Sequence, residues 1–513
     1  MAVSDDRKYT KDFVYHLLEG VKGKTLGEVD ESNQFERTLK SSKITGIAGD
    51  VIEQSIFKYA RDSKQECDIE IDGVLTELKT TGVRVSKGDL HLVKAKVGEE
   101  YNKHLGAKEG ISITGVTLEP TIQTDFFTSH FWEKAEHLLI VFYEYKSYEV
   151  VPASEYANFP IVGYCYNQFS EDEQAKLKSD WEIVRDYLEP YYNNYPDAER
   201  RREALIGFTH KLRPNLLLIE LVPGYKKTKT GSYQKPRYRL KQTFVDYLVR
   251  GHFNNRRDAV EIPLSESFTS FAELDRKCHT LSQKYAGKTL PQLREELAMN
   301  TEFTTKDFRA KCILKMFGVE KGRINNIADF QKAGIIAKTI TIDNKGRRTE
   351  DMKLAHIHFD EWADRDVDFE DSEVYRFFCE HSFLFPVFQE NEENNPEQTT
   401  FLGFKRFGFS DEFIEENVRK TWIDSRHLIH SNSLKWEYEL DKNGNKRRNK
   451  SGSFKGSPNF PKSSEYIVFF RGGENDSSDA RRTETVNGIK MLPQYFWLKG
   501  AFVTEKLKTL PYL

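Results

Sequence analysis

Cysteine is scarce in this chain. Its 513 residues include only five, at positions 67, 165, 278, 312 and 379, and no two form a CxxC pair. A disulfide framework or a structural zinc is therefore not expected, and the usage points to a reducing, cytoplasmic compartment. Long hydrophobic runs are also missing. No stretch approaches the roughly 18 apolar residues that a membrane-spanning helix needs. Met1-Ala2-Val3-Ser4-Asp5-Asp6 lacks the basic and apolar regions of a secretory signal. Net charge is nearly absent, at −3 from 77 basic and 80 acidic residues, so no global field announces a polyanionic partner. What is abundant is aromatic: 36 Phe and 24 Tyr. That load excludes a disordered chain, and the length predicts roughly two to four domains.

Charge is concentrated locally. Lys226 to Lys241 (KKTKTGSYQKPRYRLK) carries seven Lys/Arg and no acid, with Tyr233 and Tyr238 interleaved. Lys442 to Lys455 (KNGNKRRNKSGSFK) is equally free of acid. Gly and Ser mark both as loops. One basic loop is usually just solvated; two in an otherwise acidic chain point to nucleic-acid contact.

The order of several anchors repeats. Gly23-Lys24-Thr25-Leu26 returns as Gly287-Lys288-Thr289-Leu290, Trp181 in a polar helix is answered by Trp422, and Leu240-Lys241-Gln242-Thr243-Phe244-Val245 by Leu498-Lys499-Gly500-Ala501-Phe502-Val503. The expectation is a duplication into two homologous domains, 1–255 and 260–513, joined near Arg256-Arg257-Asp258, with an amphipathic helix after each GKTL. Helical spacing over Lys11–Val21, Gly49–Ala60 and Ala175–Leu188 alternates with strand signals over Val74–Leu78, Leu138–Tyr145 and Asn215–Val222. That pattern predicts an α/β fold with a mixed central sheet flanked by helices.

The segment with chemistry is Cys67-Asp68-Ile69-Glu70-Ile71-Asp72-Gly73-Val74-Leu75-Thr76-Glu77-Leu78-Lys79. Asp72-Gly73 signals a tight hairpin turn. On the strand after it, Glu77 and Lys79 are two apart and share a face. Asp68, at the start of the preceding strand, can approach that face, and Glu53 adds a carboxylate from a helix. Carboxylates so placed can hold Mg2+ and leave room for water and a phosphate oxygen. The metal would polarise the phosphoryl group and acidify a water, and Lys79 would place that water or offset developing charge. The ordinary alternative is a solvated cross-strand charge pair. Glu70 and Asp72 remain possible substitutes for Asp68.

Taken together, Gly49-x-x-x-Glu53, Asp68, Gly73 to Thr80, Thr128-Ser129-His130-Phe131-Trp132-Glu133-Lys134, Asp180-Trp181-Glu182 and Tyr238-Arg239-Leu240-Lys241-x-x-Phe244 resemble the MutH family. That family contains a mismatch-repair nickase and type II restriction endonucleases that cut at GATC, and the two-half layout resembles its two-domain members. The resemblance implies the PD-(D/E)XK nuclease fold, Mg2+, and double-stranded DNA as partner. It lays metal-binding acids on Asp68 and Glu77, the helix acid on Glu53, the catalytic lysine on Lys79 and a further active-site lysine on Lys134. The Asp-to-Glu interval is two residues longer here. The segment Pro223 to Lys229 does not match the relatives' base-reading loop, which leaves GATC in doubt.

In the C-terminal half, Asp329 to Ile340 takes the place of the motif. Asp329 and Lys338 are retained, Ile336 stands in the glutamate position and Leu314 where the helix acid belongs; no Glu-x-Lys occurs in 328–342. A silent domain with a DNA-binding or allosteric role is expected. Lys226, Lys227, Lys229, Arg237, Arg239 and Arg471 are the expected DNA contacts. With one live site, the strands are nicked in turn or two copies pair on DNA. Other readings are a partner-activated repair nickase and a non-cleaving DNA-binding regulator on a nuclease fold. His356 and His358 share a strand face but lack a third ligand, and Cys67 reads as a small core residue.

Overall fold

The computed structural model describes all residues except 1–6, 42, 43, 45, 60–65, 87, 88, 149, 150, 225–230, 234, 255–261, 265, 348, 349, 391–394, 450, 451, 453 and 474–477. The chain gathers into two compact units. One comprises Met1–Ser147, Val151–Leu274 and Gly318–Ile335; the other comprises Tyr148–Val150, Asp275–Phe317 and Ile336–Leu513. The expected junction at Arg256-Arg257-Asp258 lies outside the described residues. Both units mix helices with sheets that contain parallel and antiparallel pairs.

The first unit is organised by the Asp72-Gly73 turn. Both residues take left-handed backbone conformations, with φ of 49° and 81°. Such a turn matches the twist of the strands it joins. It reverses the chain between Ile69–Ile71 and Val74–Val85, with Ile69 opposite Thr76 and Ile71 opposite Val74. Val74–Val85 is rich in Val and Thr, which suit a pleated surface, and runs further than the sequence pattern predicts. His137–Glu144 lies parallel beside it, with Glu77 opposite Leu138 and Lys79 opposite Ile140. That strand is buried over Leu138–Tyr143, as its unbroken apolar run requires. Ile161–Gln168 pairs antiparallel on its far side. Lys8–Tyr9 and Leu105–Ala107 complete a sheet of six strands among the described residues.

After Ile161–Gln168 the helix Glu171–Asn194 begins at Ser170, whose hydroxyl and the Glu173 carboxylate form a capping box. Its apolar stripe, Leu177, Trp181, Val184 and Leu188, is buried at helical spacing. Asp180 is fully buried beside it and accepts N–H groups from Leu217 (2.7 Å), Leu218 (2.7 Å) and Ile219 (2.8 Å). It thereby satisfies the backbone leading into the strand Ile219–Val222, which pairs with Arg237–Leu240 in a second, antiparallel sheet.

In the second unit, Ile340–Ile342 runs parallel to Ser382–Gln389, which pairs antiparallel with Thr400–Gly408. A helix capped by Ser410 follows. This is the order of the first unit: parallel partner, antiparallel partner, serine-capped helix. The two GKTL segments also occupy like positions. Gly23 N–H donates to the Ile161 carbonyl and Leu26 N–H to Phe159; Gly287 N–H donates to Phe401 and Leu290 N–H to Thr399. The sequence pattern places an amphipathic helix after each GKTL. In the first unit the helix comes before it instead, over Lys11–Val21; the second unit has helices on both sides, Phe271–Tyr285 and Leu290–Glu296. Gly23 and Gly287 have φ of 87° and 80°, the conformation that stops helices. Asp329, read by sequence as a relic of the motif, sits on a helix of the first unit, Ala328–Ala333, and pairs with Lys176 at 3.1 Å.

Replacing Asp180 with Ala would leave three buried N–H groups unpaired, at about 1–3 kcal/mol for each. Urea unfolding of Asp180→Ala should show a loss of at least about 3 kcal/mol in the first unit, and a loss below about 1 kcal/mol would contradict this account.

Candidate active site

The hairpin brings Asp68 and Glu77 together. Since Ile69 faces Thr76, Asp68 is the next residue outward and its side chain turns in, its Oδ2 accepting the Leu78 N–H at 2.9 Å. Glu77 is only 4% exposed. Its Oε1 accepts from Lys79 Nζ and its Oε2 from Lys134 Nζ, each at 2.6 Å. Lys134 arrives on the helix His130–Ala135, which Ser129 caps by accepting the Trp132 N–H. It is also buried and donates to the Glu66 carbonyl.

Glu53 comes from a helix that changes pitch. Ile47–Val51 is α-helical and Ile52–Ile56 forms a wider π turn, closed by Phe57 N–H to the Ile52 carbonyl. Such turns often mark functional positions. Burial first, and then the Asp68 and Asp50 carboxylates, raise the Glu53 carboxyl to about 7, against the pull of Lys79. Burial and then Glu77 raise Asp68 to about 6. For Lys79, burial acts downward, but Glu77, Asp68 and Glu53 outweigh it and its ammonium is held above the ordinary value.

Fully ionised, Glu53, Asp68 and Glu77 would carry three negative charges against the two positive charges of Lys79 and Lys134. The raised carboxyls register that excess. Among the described residues, no group of three His, Cys, Asp or Glu side chains is drawn together closely enough to hold a metal unaided. Mg2+ asks for less, since it keeps several waters and takes one or two carboxylates. The donor set fits that demand: hard oxygen ligands, Glu77 buried and Asp68 and Glu53 partly so, with surplus negative charge. One further observation agrees. The Tyr59 hydroxyl is buried with no hydrogen-bond partner among the described residues, and Asp68, Glu53 and Glu77 act on it electrostatically.

The other expected residues divide. Glu70 pairs with Lys8 at 3.0 Å, and exposed Asp72 accepts the Lys11 N–H at 3.3 Å, so neither stands in for Asp68. Cys67 is buried, its Sγ on the Glu133 carbonyl at 3.2 Å, and burial pushes its thiol up to about 12. Lys226, Lys227 and Lys229 lie outside the described residues. Arg237 is exposed, while Arg239 is half-buried and paired with Glu220 at 2.5 Å. Arg471, in the second unit, pairs with Asp351 at 2.6 Å and stacks over Trp497. His356 and His358 each take a glutamate, Glu484 at 2.9 Å and Glu373 at 2.7 Å. Sequence reasoning missed Tyr59 and the buried Asp50, which pairs with Arg37. Nothing local in the sequence marks either.

Glu77, buried and held by two lysines, thus stands beside the half-buried Asp68 at the hairpin. Residues 57–180 match the sequence model of the family described as DNA mismatch repair enzyme MutH; this stretch includes Asp68, Glu77, Lys79 and Lys134. The whole chain is similar to the type II restriction enzyme Sau3AI of Staphylococcus aureus, at 23% identity over 98% of this chain and 99% of that protein. Together these findings bear out the expectation of a MutH-like type II restriction endonuclease. No helix of the described residues is long and apolar enough to cross a membrane.

Carboxyls raised in the fold bind protons more tightly folded than unfolded. They favour the fold below their ordinary values of 4.5 and 3.8, and that contribution is lost as pH rises through about 6 and about 7. In EDTA, wild type should therefore lose melting temperature relative to Glu53→Gln between pH about 5 and pH about 7. A constant difference across that range would refute the assignment.

Proposed function

We propose that this protein is a divalent-metal-dependent restriction endonuclease that hydrolyses DNA phosphodiester bonds at a short specific sequence. The observation that carries this reading is the buried Glu77, held by Lys79 and Lys134 beside Asp68, all four inside the stretch that matches the MutH family, with Glu53 just before it. Mg2+ is the proposed metal and the PD-(D/E)XK nuclease fold the proposed architecture. GATC is the candidate sequence by family resemblance.

Asp68 and Glu77 would hold the cation, with Glu53 as auxiliary acid. When bound, it would supply Lewis-acid charge to the phosphoryl oxygen. The remaining work belongs to the chain. Lys79, shared between Glu77 and the reacting group, would place the attacking water and offset charge on the phosphorane-like transition state. Lys134 fixes the Glu77 carboxylate, so the metal ligand does not have to be ordered at the moment of reaction. Burial of the hairpin face keeps these charges strong. Arg237, Arg239, Lys226, Lys227 and Lys229 would meet the DNA, and a second copy could pair on the duplex to cut both strands.

For the second unit we propose a duplicated, non-cleaving copy that binds DNA. Two features support this. Lys338 N–H donates to the Leu384 carbonyl at 3.0 Å, on the strand that leads to Ile340 opposite Val387; counted back from there, Ile336 stands where Glu77 stands. Phe377 lies five residues past the capping Ser372, as Lys134 lies five past Ser129. Both Ile336 and Phe377 pack against the apolar core of this unit. The second basic loop supplies a DNA surface. It is an exposed, hydrogen-bonded finger: Glu439 N–H donates to Lys455, Arg447 N–H to Glu439 and Lys455 N–H to Arg447. Lys446 lies over Tyr438 at 3.7 Å and Arg448 over Phe454 at 4.2 Å, so two cations are presented on aromatic supports. Arg471 would add to this surface.

Wild type incubated with unmethylated phage DNA and Mg2+ should give discrete bands, and Glu77→Ala should lose activity by at least about 1,000-fold. Salt-sensitive binding without cutting by wild type would favour the partner-activated nickase or the regulator. In the Lys446→Gln/Arg448→Gln double variant, the slope of log affinity against log salt should fall by about 1–2. An unchanged slope would remove the finger from the DNA surface.

A further inference from the structure

Among the described residues around this site, the Tyr59 phenol is a polar group left without a role. Tyr59 follows the π turn that carries Glu53, and its N–H donates back to the Glu53 carbonyl at 3.3 Å. The Arg7 guanidinium lies over the ring, 4.5 Å from its centroid. The hydroxyl is buried and has no partner among the described residues. A neighbouring tyrosine is treated quite differently: Tyr9 donates its hydroxyl to the Phe57 carbonyl at 3.1 Å. Leaving a buried hydroxyl unpaired is a recurrent cost that folded proteins avoid. Phe would fill the same space without that cost.

The groups around it say what the hydroxyl is for. Asp68, Glu53 and Glu77 all act on the phenol, and with burial they hold it far above its ordinary value, so it stays a donor at every physiological pH. Its N–H link to Glu53 ties its placement to the acid that borders the proposed metal position.

We propose that Tyr59 is a positioning residue whose O–H is kept for the loaded site, donating to an oxygen that arrives with the divalent cation and the phosphodiester. This rests on the nuclease reading and goes beyond it, because it gives the helix after Glu53 a part in organising the bound oxygens. Two sources share that chemistry: a water in the cation's shell and a non-bridging phosphate oxygen. A structural hydroxyl and one kept for a ligand differ in sign when removed. Loss of a structural hydroxyl weakens the empty protein; loss of one kept for a ligand strengthens it and weakens the loaded state.

Tyr59→Phe in the full chain tests this. In EDTA the variant should melt higher than wild type by about 1–3 °C. Calorimetric titration with Mn2+ in the absence of DNA should show affinity weaker by about 5–10-fold, which assigns the partner to the cation's water. Unchanged Mn2+ affinity with turnover slowed by a similar factor assigns it to the phosphate. A lower melting temperature in EDTA overturns the proposal, and so does unchanged Mn2+ affinity together with unchanged turnover. Wild-type cleavage tests the nuclease reading separately: if wild type does not cut DNA, the melting and Mn2+ experiments still decide whether the Tyr59 hydroxyl serves a bound oxygen.

Discussion

A carboxylate taken out of water and gripped by two ammonium groups sets the terms for the first unit. Burying Glu77 alone would cost several kcal/mol. Lys79 and Lys134, both at 2.6 Å, offset that cost, but only if three elements are already in place. The hairpin must aim Glu77 and Lys79 at one face. The sheet must set Glu77 against Leu138. The helix His130–Ala135 must deliver Lys134 from 57 residues away in the chain. Removing either lysine would leave a buried charge half-paired. This demanding electrostatic contact thus doubles as the anchor of the proposed chemistry.

How much of this was legible in the sequence depended on how local each signal is. Asp72-Gly73 reads directly as a turn, since both residues tolerate positive φ, and the Lys11–Val21 helix matches its pattern to the residue. Glu77 and Lys79 follow from the two-residue period of a strand. The choice of Asp68 over Glu70 and Asp72 does not. It depends on Lys8 and the Lys11 N–H, which occupy the other two acids and which no spacing rule brings near. Lys134 was reachable only through the family resemblance. Tyr59 was not reachable at all, because its meaning comes from a hydrogen bond it does not make. The repeat is an expectation read from short anchors, of which the two GKTL segments make like backbone contacts. The helix expected after the first GKTL was misplaced, while the one after the second is there, because a glycine that ends a helix looks, in sequence, much like a loop that begins one.

The charge balance of the site also explains why it is built at some expense to stability. Three carboxylates outnumber two lysines, and the shortfall shows in Glu53 and Asp68, whose carboxyls are raised to about 7 and about 6. A fold optimised only for its own stability would replace one acid with an amide. A site meant to take a divalent cation needs the opposite, a standing excess of hard, negative oxygen. Functional sites are where local stability rules are expected to fail, and the unpaired phenol beside these acids is a second failure at the same place.

The second unit bears on the same point through what it lacks. Under the proposed duplication, losing Glu77 alone would strand a buried lysine without its counter-ion, at a cost of about 3–5 kcal/mol. Losing the lysine alone would strand the glutamate. Here the glutamate and helix-lysine positions are apolar, Ile336 and Phe377, and both pack on one core, while the retained Lys338 donates to the Lys353 carbonyl at 3.2 Å instead. A buried ion pair replaced whole by hydrophobic side chains is often neutral or stabilising. The paired change, with Lys338 given a backbone carbonyl as partner, is a route by which such a copy can give up metal chemistry and keep its fold. It leaves the strand order, the serine caps and the GKTL contacts in place as a scaffold on which a basic finger could be kept for DNA.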